Sequence, residues 1–265
     1  MPRRKPAPPD ETLRITAWLI ATSLVLYGAA CLALFAFQRS LIYFPQPSAF
    51  GTASTTVVLP VPGADLIVSV RQHAGPKALI YFGGNAEDVS ASLSSFSSAF
   101  PDHAIYLLHY RGYGGSSGTA SEQVLHADAQ ALFDKVHREH SDIAVIGRSL
   151  GTGVAVRLAS QRPASRLVLV TPYNSIEEIA AQQFPFFPIR WLLTDKFESW
   201  RHAPKVRMPT LLVGAEFDEV IPRASTERLN AAFAKGVASL VIIPGVDHNS
   251  ISNTMQYWDA IRAAL

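Results

Sequence analysis

Residues 145–153 read VIGRSLGTG and hold one serine, Ser149, between Gly147 and Gly151. An apolar run, IAVIG, comes just before the serine, and a pattern typical of a helix follows it. A serine in a sharp turn from strand to helix adopts backbone angles that most residues avoid, and glycines beside it give the strand and helix room. The stretch therefore predicts a nucleophile elbow that exposes the Ser149 hydroxyl. The alternative is a glycine-rich turn with an ordinary helix-capping serine.

Short apolar segments alternate with helical patterns on both sides of this motif. The predicted strands are TTVVLPV, DLIVSVRQH, KALIYF, AIYLLHY, IAVIG, RLVLVTP, TLLVGA and SLVIIPG. The predicted helices lie near residues 87–100, 121–140, 149–160, 224–234 and 250–263. Apolar strands separated by helices are typical of a mostly parallel sheet with helices on both faces, so the sequence predicts the α/β class.

A serine nucleophile needs a base, and the base needs a carboxylate that orients it. After an elbow of this kind the chain order is serine, acid, histidine. Of the eight histidines, only His248, in the loop PGVDHNS, follows the last predicted strand. Asp218 follows the penultimate strand in LLVGAEFDEVIP and is the preferred acid, with Glu216 and Glu219 as competitors. Asp247 ranks lower, because adjacent side chains rarely face each other.

Backbone N–H groups near the serine are candidates for an oxyanion hole. The turn aims the N–H of Leu150 at a developing oxyanion, and a second donor is expected from the loop GGNAED after the strand KALIYF. Gly83 and Gly84 let that loop turn inward, which makes the N–H of Asn85 the predicted donor. A plain glycine turn is the alternative.

An aromatic stretch from Tyr173 to Trp200 interrupts the strand and helix pattern. Its segment FPFFPIRWLL predicts a lid, over residues 174–207, whose rings form an apolar wall for an acyl chain. Phe186 and Trp191 are the predicted substrate-binding residues. The alternative is a packed cap helix with no ligand role.

The segment from Ile15 to Phe37 carries no charge and is long enough to cross a hydrocarbon core of about 30 Å. The basic residues around it are Arg3, Arg4, Lys5 and Arg14 before it and Arg39 after it. The excess of basic residues on the N-terminal side predicts a cytoplasmic N-terminus and a catalytic domain on the exported side, periplasmic in a bacterium.

Two other interpretations of this segment stay open. A cleaved signal peptide has a shorter apolar core and a small-residue cleavage site. The motif YGAAC resembles a lipoprotein cleavage site, which would make Cys31 a lipid anchor, although Gly28 stands where a leucine is usual. The predicted organisation is a basic tail (1–14), a transmembrane helix (15–37), a linker (38–54) and a catalytic domain (55–265).

Composition narrows the range of partners. The formal net charge is +2, and no basic stripe interleaves with aromatic residues, so nucleic acid is not an expected partner. The single cysteine excludes an internal disulfide. No metal or organic cofactor is implied, and the sequence does not define an oligomeric state.

Several motifs together resemble the α/β-hydrolase superfamily. They are RSLIYFPQ, YFGGNAED, HYRGYGGSSGTASE, GRSLGTGVA, FPFFPIRWLLTDKFES, GAEFDEVIP and GVDHN. The chain is most similar to membrane-anchored α/β-hydrolase domain-containing serine hydrolases, which include depalmitoylase-like and lysophospholipase-like members. It departs from that pattern at Gly83, where relatives usually have histidine, and at His109, where they usually have aspartate. These changes concern the support of the oxyanion loop, by which we mean the loop GGNAED (residues 83–88) that carries the predicted donor Asn85.

The residues and the resemblance together predict a membrane-anchored serine hydrolase that cleaves a carboxylic ester or thioester. Its substrate would be a small acyl ester or a lipid-like molecule, and the reaction would pass through an acyl-enzyme. An amidase or serine peptidase on the same triad is the second interpretation. A catalytically silent hydrolase fold that serves as a membrane-bound binding module is the third.

Overall fold

The computed structural model describes residues 11–52 and 55–265. Most of the predicted basic tail, and residues 53 and 54 of the predicted linker, therefore lie outside the described residues. Helix α1 runs from Glu11 to Ile42 and extends beyond the uncharged segment at both ends. By length and composition it could cross a membrane, with a mean hydropathy of 2.2 over an 18-residue window that is not buried.

An eight-stranded sheet forms the centre of the molecule in the order β1-β2-β4-β3-β5-β6-β7-β8. The strands are β1 (Thr56–Val61), β2 (Ala64–Arg71), β3 (Lys77–Phe82), β4 (Ala104–Leu108), β5 (Asp142–Arg148), β6 (Arg166–Val170), β7 (Thr210–Phe217) and β8 (Ala238–Asp247). β1 and β2 pair antiparallel, β2 also pairs antiparallel with β4, and all other pairs are parallel. The predicted fold class, a mostly parallel α/β sheet, is confirmed.

Helices cover both faces of this sheet. They are α2 (Leu93–Ala99), α3 (Glu122–His137), α4 (Leu150–Ala159), α5 (Ile176–Gln183), α6 (Ile189–Leu192), α7 (Arg223–Ala232) and α8 (Met255–Ala264). Successive strand residues point to opposite faces, so Ile80 of β3 joins the core under α3 and α4, whereas Tyr81 joins the core under α2 and α8. The apolar strands are therefore buried on both sides.

The carboxyl ends of β3, β5, β7 and β8 meet at one edge of the sheet, because these strands run parallel. The loops that leave this edge carry the predicted oxyanion donor, the serine, the acid and the histidine. Helices α5 and α6 lie in the segment between β6 and β7, which we call the cap (residues 174–207). The topology alone thus brings the loops that carry the predicted serine, acid, histidine and oxyanion donors to one edge of the sheet.

Candidate active site

Ser149 occupies the turn between β5 and α4 with φ 48° and ψ −117°. Residues other than glycine rarely adopt a positive φ of this kind. A Cβ added to Gly147 would lie 2.8 Å from the Cβ of Ala155. A Cβ added to Gly151 would lie 2.7 Å from the carbonyl oxygen of Gly83. The glycines on either side of the serine are thus required by close packing between strand and helix, and the strained turn predicted for Ser149 is present.

The structure brings Ser149, His248 and Asp218 together at the sheet edge. His248 Nε2 lies 3.0 Å from Ser149 Oγ, and His248 Nδ1 lies 3.0 Å from both carboxylate oxygens of Asp218. His248 is buried. The Asp218 carboxylate also accepts hydrogen bonds from the N–H groups of Val220 and Ile221, which fix its orientation toward the imidazole. The geometry matches the serine, base and orienting acid of a hydrolytic triad.

The competing carboxylates have other partners. Glu216 accepts the backbone N–H of Gly245. Asp247 accepts the N–H groups of Asn249 and Ser250, and so holds the loop that carries the histidine. Glu219 is exposed. Among these acidic residues, Asp218 is the one that contacts the imidazole.

The two predicted oxyanion donors lie beside the serine, since Asn85 and Leu150 line the same pocket as Ser149. Asn85 is held from both sides. The N–H of Gly84 donates to Glu87, at 2.8 Å, and the carbonyl of Asn85 accepts from Tyr113 Oη, at 2.6 Å. These bonds fix the backbone on both sides of the Asn85 N–H, which is the preorganisation that an oxyanion hole needs.

Glu87 is a supporting residue that sequence reasoning missed. Its carboxylate accepts the Gly84 N–H and the Tyr81 hydroxyl, and it lies 3.3 Å from the Arg148 guanidinium. Burial raises the pKa of Tyr81, so this hydroxyl remains a donor. Arg148 in turn donates to the carbonyl of His248, which links the oxyanion loop to the histidine loop. Glu87 lies in the motif GGNAED, but nothing in that motif assigns it a role, because the contacts with Tyr81 and Arg148 come from two different strands.

Close packing of Val89, with the Glu87 carboxylate beside it, explains the departure at Gly83. A Cβ there would lie 2.5 Å from Val89 Cγ1 and 3.2 Å from the Glu87 carboxylate, so a histidine would not fit. At the second departure, the buried His109 Nε2 lies 2.9 Å from Ser69 Oγ. Its ring leaves no room for a side chain at residue 114, which is glycine.

A cavity of about 260 Å³ opens above Ser149. Its walls are mainly apolar and come mainly from the cap, through residues such as Ile176, Ile179 and Leu193. Part of the wall comes from a source that was not predicted, namely the C-terminal part of α1, which contributes Leu34 and Leu41. The uncharged helix had no polar face in its sequence, so nothing there distinguished the turns that reach the pocket.

The structure corrects the expectation for Phe186 and Trp191. Neither ring lines the cavity, and the two side chains are 85% and 82% exposed. The short helix α6 turns Ile189 inward and buries it, which leaves the rings at 186 and 191 on the outer side of the cap. The cavity wall is therefore formed mainly by aliphatic residues of the cap and α1, and Phe184 is the aromatic residue of the cap that lines it.

Comparison with known proteins agrees with this architecture. A family model described as serine aminopeptidase, S33, matches residues 95–201. The uncharacterized protein Rv2307c of Mycobacterium tuberculosis is 36% identical over 251 residues, which cover 87% of this chain and 85% of that protein. Lysophosphatidylserine lipase ABHD12 of Macaca fascicularis is 30% identical over 168 residues, covering 54% of this chain and 42% of the lipase.

Solved structures show the same fold at low sequence identity. The Pyrococcus furiosus esterase Pf2001 superposes with a TM-score of 0.65 at 15% identity, covering 84% of this chain and 98% of the esterase. The mouse α/β-hydrolase domain-containing protein 10 superposes with a TM-score of 0.63, covering 78% of this chain and 95% of that one. The strained turn at Ser149, the order of the strands and these relatives agree with one another. The chain belongs to the α/β-hydrolase family and is a hydrolase.

Proposed function

We propose that this protein is a membrane-anchored serine hydrolase that cleaves an acyl ester or thioester. One observation carries the proposal: Ser149 Oγ, His248 and Asp218 form a continuous chain of contacts at 3.0 Å, at the base of an apolar cavity. An apolar pocket beside the triad favours a substrate whose reacting carbonyl group carries an apolar chain. The membrane anchor is α1.

In the proposed reaction, Ser149 Oγ attacks the carbonyl carbon while His248 Nε2 takes the hydroxyl proton. Asp218 accepts the Nδ1–H and stabilises the imidazolium that forms. The N–H groups of Leu150 and Asn85 stabilise the tetrahedral oxyanion, each by about 3 kcal/mol. The intermediate collapses to an acyl-Ser149 as His248 protonates the leaving group. Water, activated by the same imidazole, then hydrolyses the acyl-enzyme.

The lining of the cavity favours an acyl substrate over the amino-terminal peptide that the family model's description suggests. Among the described residues that line it, none carries a charge. A buried ammonium group needs a paired carboxylate, because an unpaired charge in an apolar pocket is costly. An aminopeptidase substrate would bring such an ammonium close to Ser149 without a partner. An uncharged acyl chain gains free energy from the same walls, about 0.8 kcal/mol per buried methylene.

A substrate panel tests the proposal. Detergent-solubilised full-length protein should hydrolyse p-nitrophenyl esters and acyl thioesters, with kcat/KM rising from acetyl toward medium-chain acyl groups until the pocket is full. Aminoacyl p-nitroanilides should be poor substrates. Ser149→Ala, with its fold checked by circular dichroism, should abolish turnover. Efficient aminopeptidase activity, or turnover that survives in Ser149→Ala, would refute the proposed function.

The proposed orientation places the N-terminus in the cytoplasm and the catalytic domain on the other side of the membrane. It rests on the basic residues that precede the uncharged segment in the sequence. A reporter active only outside the cytoplasm, fused after Leu265, should be active, and a reporter active only in the cytoplasm should not. The reverse pattern would refute the orientation and leave the hydrolase proposal unaffected.

A further inference from the structure

Helix α1 is bound to the cap along much of its length. Near its middle, the Tyr27 hydroxyl donates to the carbonyl of Phe186 at 2.8 Å, and the Tyr27 ring stacks on Phe187 at 5.6 Å between centroids. At its end, Gln38 is buried and donates to the carbonyl of Leu192 at 3.1 Å. The contact therefore follows α1 from its middle to its C-terminal turn.

Polar side chains form the interface between α1 and the cap at the C-terminal end of α1. The side-chain oxygen of Gln38 accepts both the N–H and the hydroxyl of Thr194, at 2.6 and 2.8 Å. Asp195, which is buried, accepts from Arg39 at 3.2 Å and from the Tyr43 hydroxyl at 3.0 Å. An interface with buried, fully paired polar groups holds one relative position of its two parts. The anchor and the cap thus form one unit.

The length of the apolar segment then limits where the membrane can lie. Residues 15–26 precede the first contact with the cap and give a helix of about 18 Å. A hydrocarbon core is about 30 Å thick and needs about 20 helical residues. The helix crosses the bilayer only if the turns that contact the cap also lie within it. The part of the cap that touches Tyr27 is then immersed as well.

The exposed side chains of the cap fit this position. The two rings of highest exposure on it, Phe186 and Trp191, lie on its outer side at residues 184–191, which we call the cap tip. Tryptophan is enriched where a protein meets the interface of a bilayer. Large exposed apolar groups are costly in water but favourable in lipid. Contact with the lipid of a membrane would therefore stabilise these two rings.

The rim of the cavity includes α1 itself. Three of the residues that line the cavity are exposed, and these mark its opening: Leu41 of α1, Gln183 of α5 and Val220 after β7. Leu41 is 52% exposed and Val220 is 43% exposed. Leu34, about two helical turns before Leu41, continues the same apolar wall toward the cap tip. An acyl chain in the outer leaflet could follow this wall without passing through water.

We propose that the cap tip is immersed in the bilayer, and that the substrate is a membrane lipid whose acyl chain reaches Ser149 laterally, between α1 and the cap. The proposal rests on the hydrolase function proposed above. It assigns Phe186 and Trp191 a membrane-binding role outside the catalytic pocket. It also makes α1 part of the route of the substrate as well as an anchor.

Fluorescence quenching tests the immersion independently of activity. Full-length protein is reconstituted into phosphatidylcholine vesicles whose acyl chains carry bromine, a short-range quencher of tryptophan. The contribution of each tryptophan is obtained as the difference between wild type and its phenylalanine variant. Trp18, within the uncharged segment, is the positive control, and Trp258, packed on Phe96 on the opposite face of the sheet, is the negative control. Trp191 should be quenched like Trp18.

A kinetic measurement tests the lateral route. The double variant Phe186→Ser/Trp191→Ser should raise the KM for a long-chain ester embedded in vesicles by about tenfold, since two rings no longer enter the lipid. Its kcat/KM for p-nitrophenyl butyrate in solution should stay within about twofold of wild type, because neither ring lines the cavity.

Each outcome has a distinct meaning. If Trp18 is quenched and Trp191 is not, the cap tip lies outside the bilayer and the proposal is wrong; a dimer in cross-linking would then identify a second copy as its cover. Equal losses on both substrates would show that the rings only stabilise the cap, and would also overturn the lateral route. Absence of Ser149-dependent hydrolysis of either ester would refute the proposed function, without changing the quenching result.

Discussion

At the scale of single residues, two neighbouring carboxylates make different contacts with the histidine loop. Asp218 contacts the imidazole of His248, whereas Asp247 accepts hydrogen bonds from the backbone N–H groups of Asn249 and Ser250. Asp218→Asn should lower kcat by about 10³–10⁴-fold, because the amide stabilises the wrong tautomer of the base. Asp247→Asn should cost far less. Steady-state kinetics on a p-nitrophenyl ester decides this, and a larger loss in Asp247→Asn would show that the acid is misassigned.

Glu87 is expected to act as a positioning residue through the oxyanion loop. Glu87→Gln removes the charge that pairs with Arg148 and weakens the bond to the Gly84 N–H, so the Asn85 N–H is less well oriented. We expect kcat to fall by about tenfold with KM nearly unchanged, because an oxyanion donor acts in the transition state. Glu227→Gln, in the exposed pair with Arg223, is the matched control. A fall in stability alone would point to a structural role.

The residues that sequence reasoning found are those tied to a local signal. Ser149 has glycines that close packing requires, and chain order selects Asp218 and His248. Glu87 has no such signal, because its partners come from β3, from its own loop and from β5. For Phe186 and Trp191 the sequence predicts a place in the pocket wall, because their segment is apolar and interrupts the strand and helix pattern. The structure turns them outward, where the apolar surroundings would have to come from lipid.

At the scale of elements, the interface between α1 and the cap predicts different effects for two truncations. A chain that begins at residue 30 keeps Leu34 and Gln38, whereas one that begins at residue 39 loses a wall of the cavity and a buried side chain that bonds the cap. The shorter chain should unfold at a lower temperature, and its preference for medium-chain esters over acetyl esters should be flatter. Equal melting temperatures and equal chain-length profiles would show that α1 serves only as an anchor.

The elements themselves were largely predictable, because buried parallel strands are short apolar runs and helices show their own period. The uncharged segment was different. A helix that is apolar on every side has no polar face, so its sequence could not indicate which turns pack on the cap and which stay exposed. That division became visible only with Tyr27, Gln38 and Arg39 in contact with the cap.

At the scale of the whole molecule, the buried His109 and His126 and the half-buried His202 should make stability depend on pH. Burial, and then the charge of Arg157, lowers the pKa of His202 to about 4, and burial lowers the pKa values of His126 and His109. These groups stay neutral in the folded chain at a pH where the unfolded chain binds protons. Stability should therefore fall as the pH drops from about 6.5 toward 4. Melting temperatures in detergent at pH 7.5 and 5 measure this, and His202→Gln should reduce the difference. An unchanged melting temperature would contradict it.

Identifying the nucleophilic residue through its covalent adduct with a fluorophosphonate tests the central claim most directly. Wild-type protein is treated with a fluorophosphonate, digested, and analysed by mass spectrometry, with folded Ser149→Ala as the control. We predict one stoichiometric adduct on the peptide that contains Ser149, and none in the variant. An adduct on another residue, or ester hydrolysis that persists after Ser149 has been fully modified, would contradict the account.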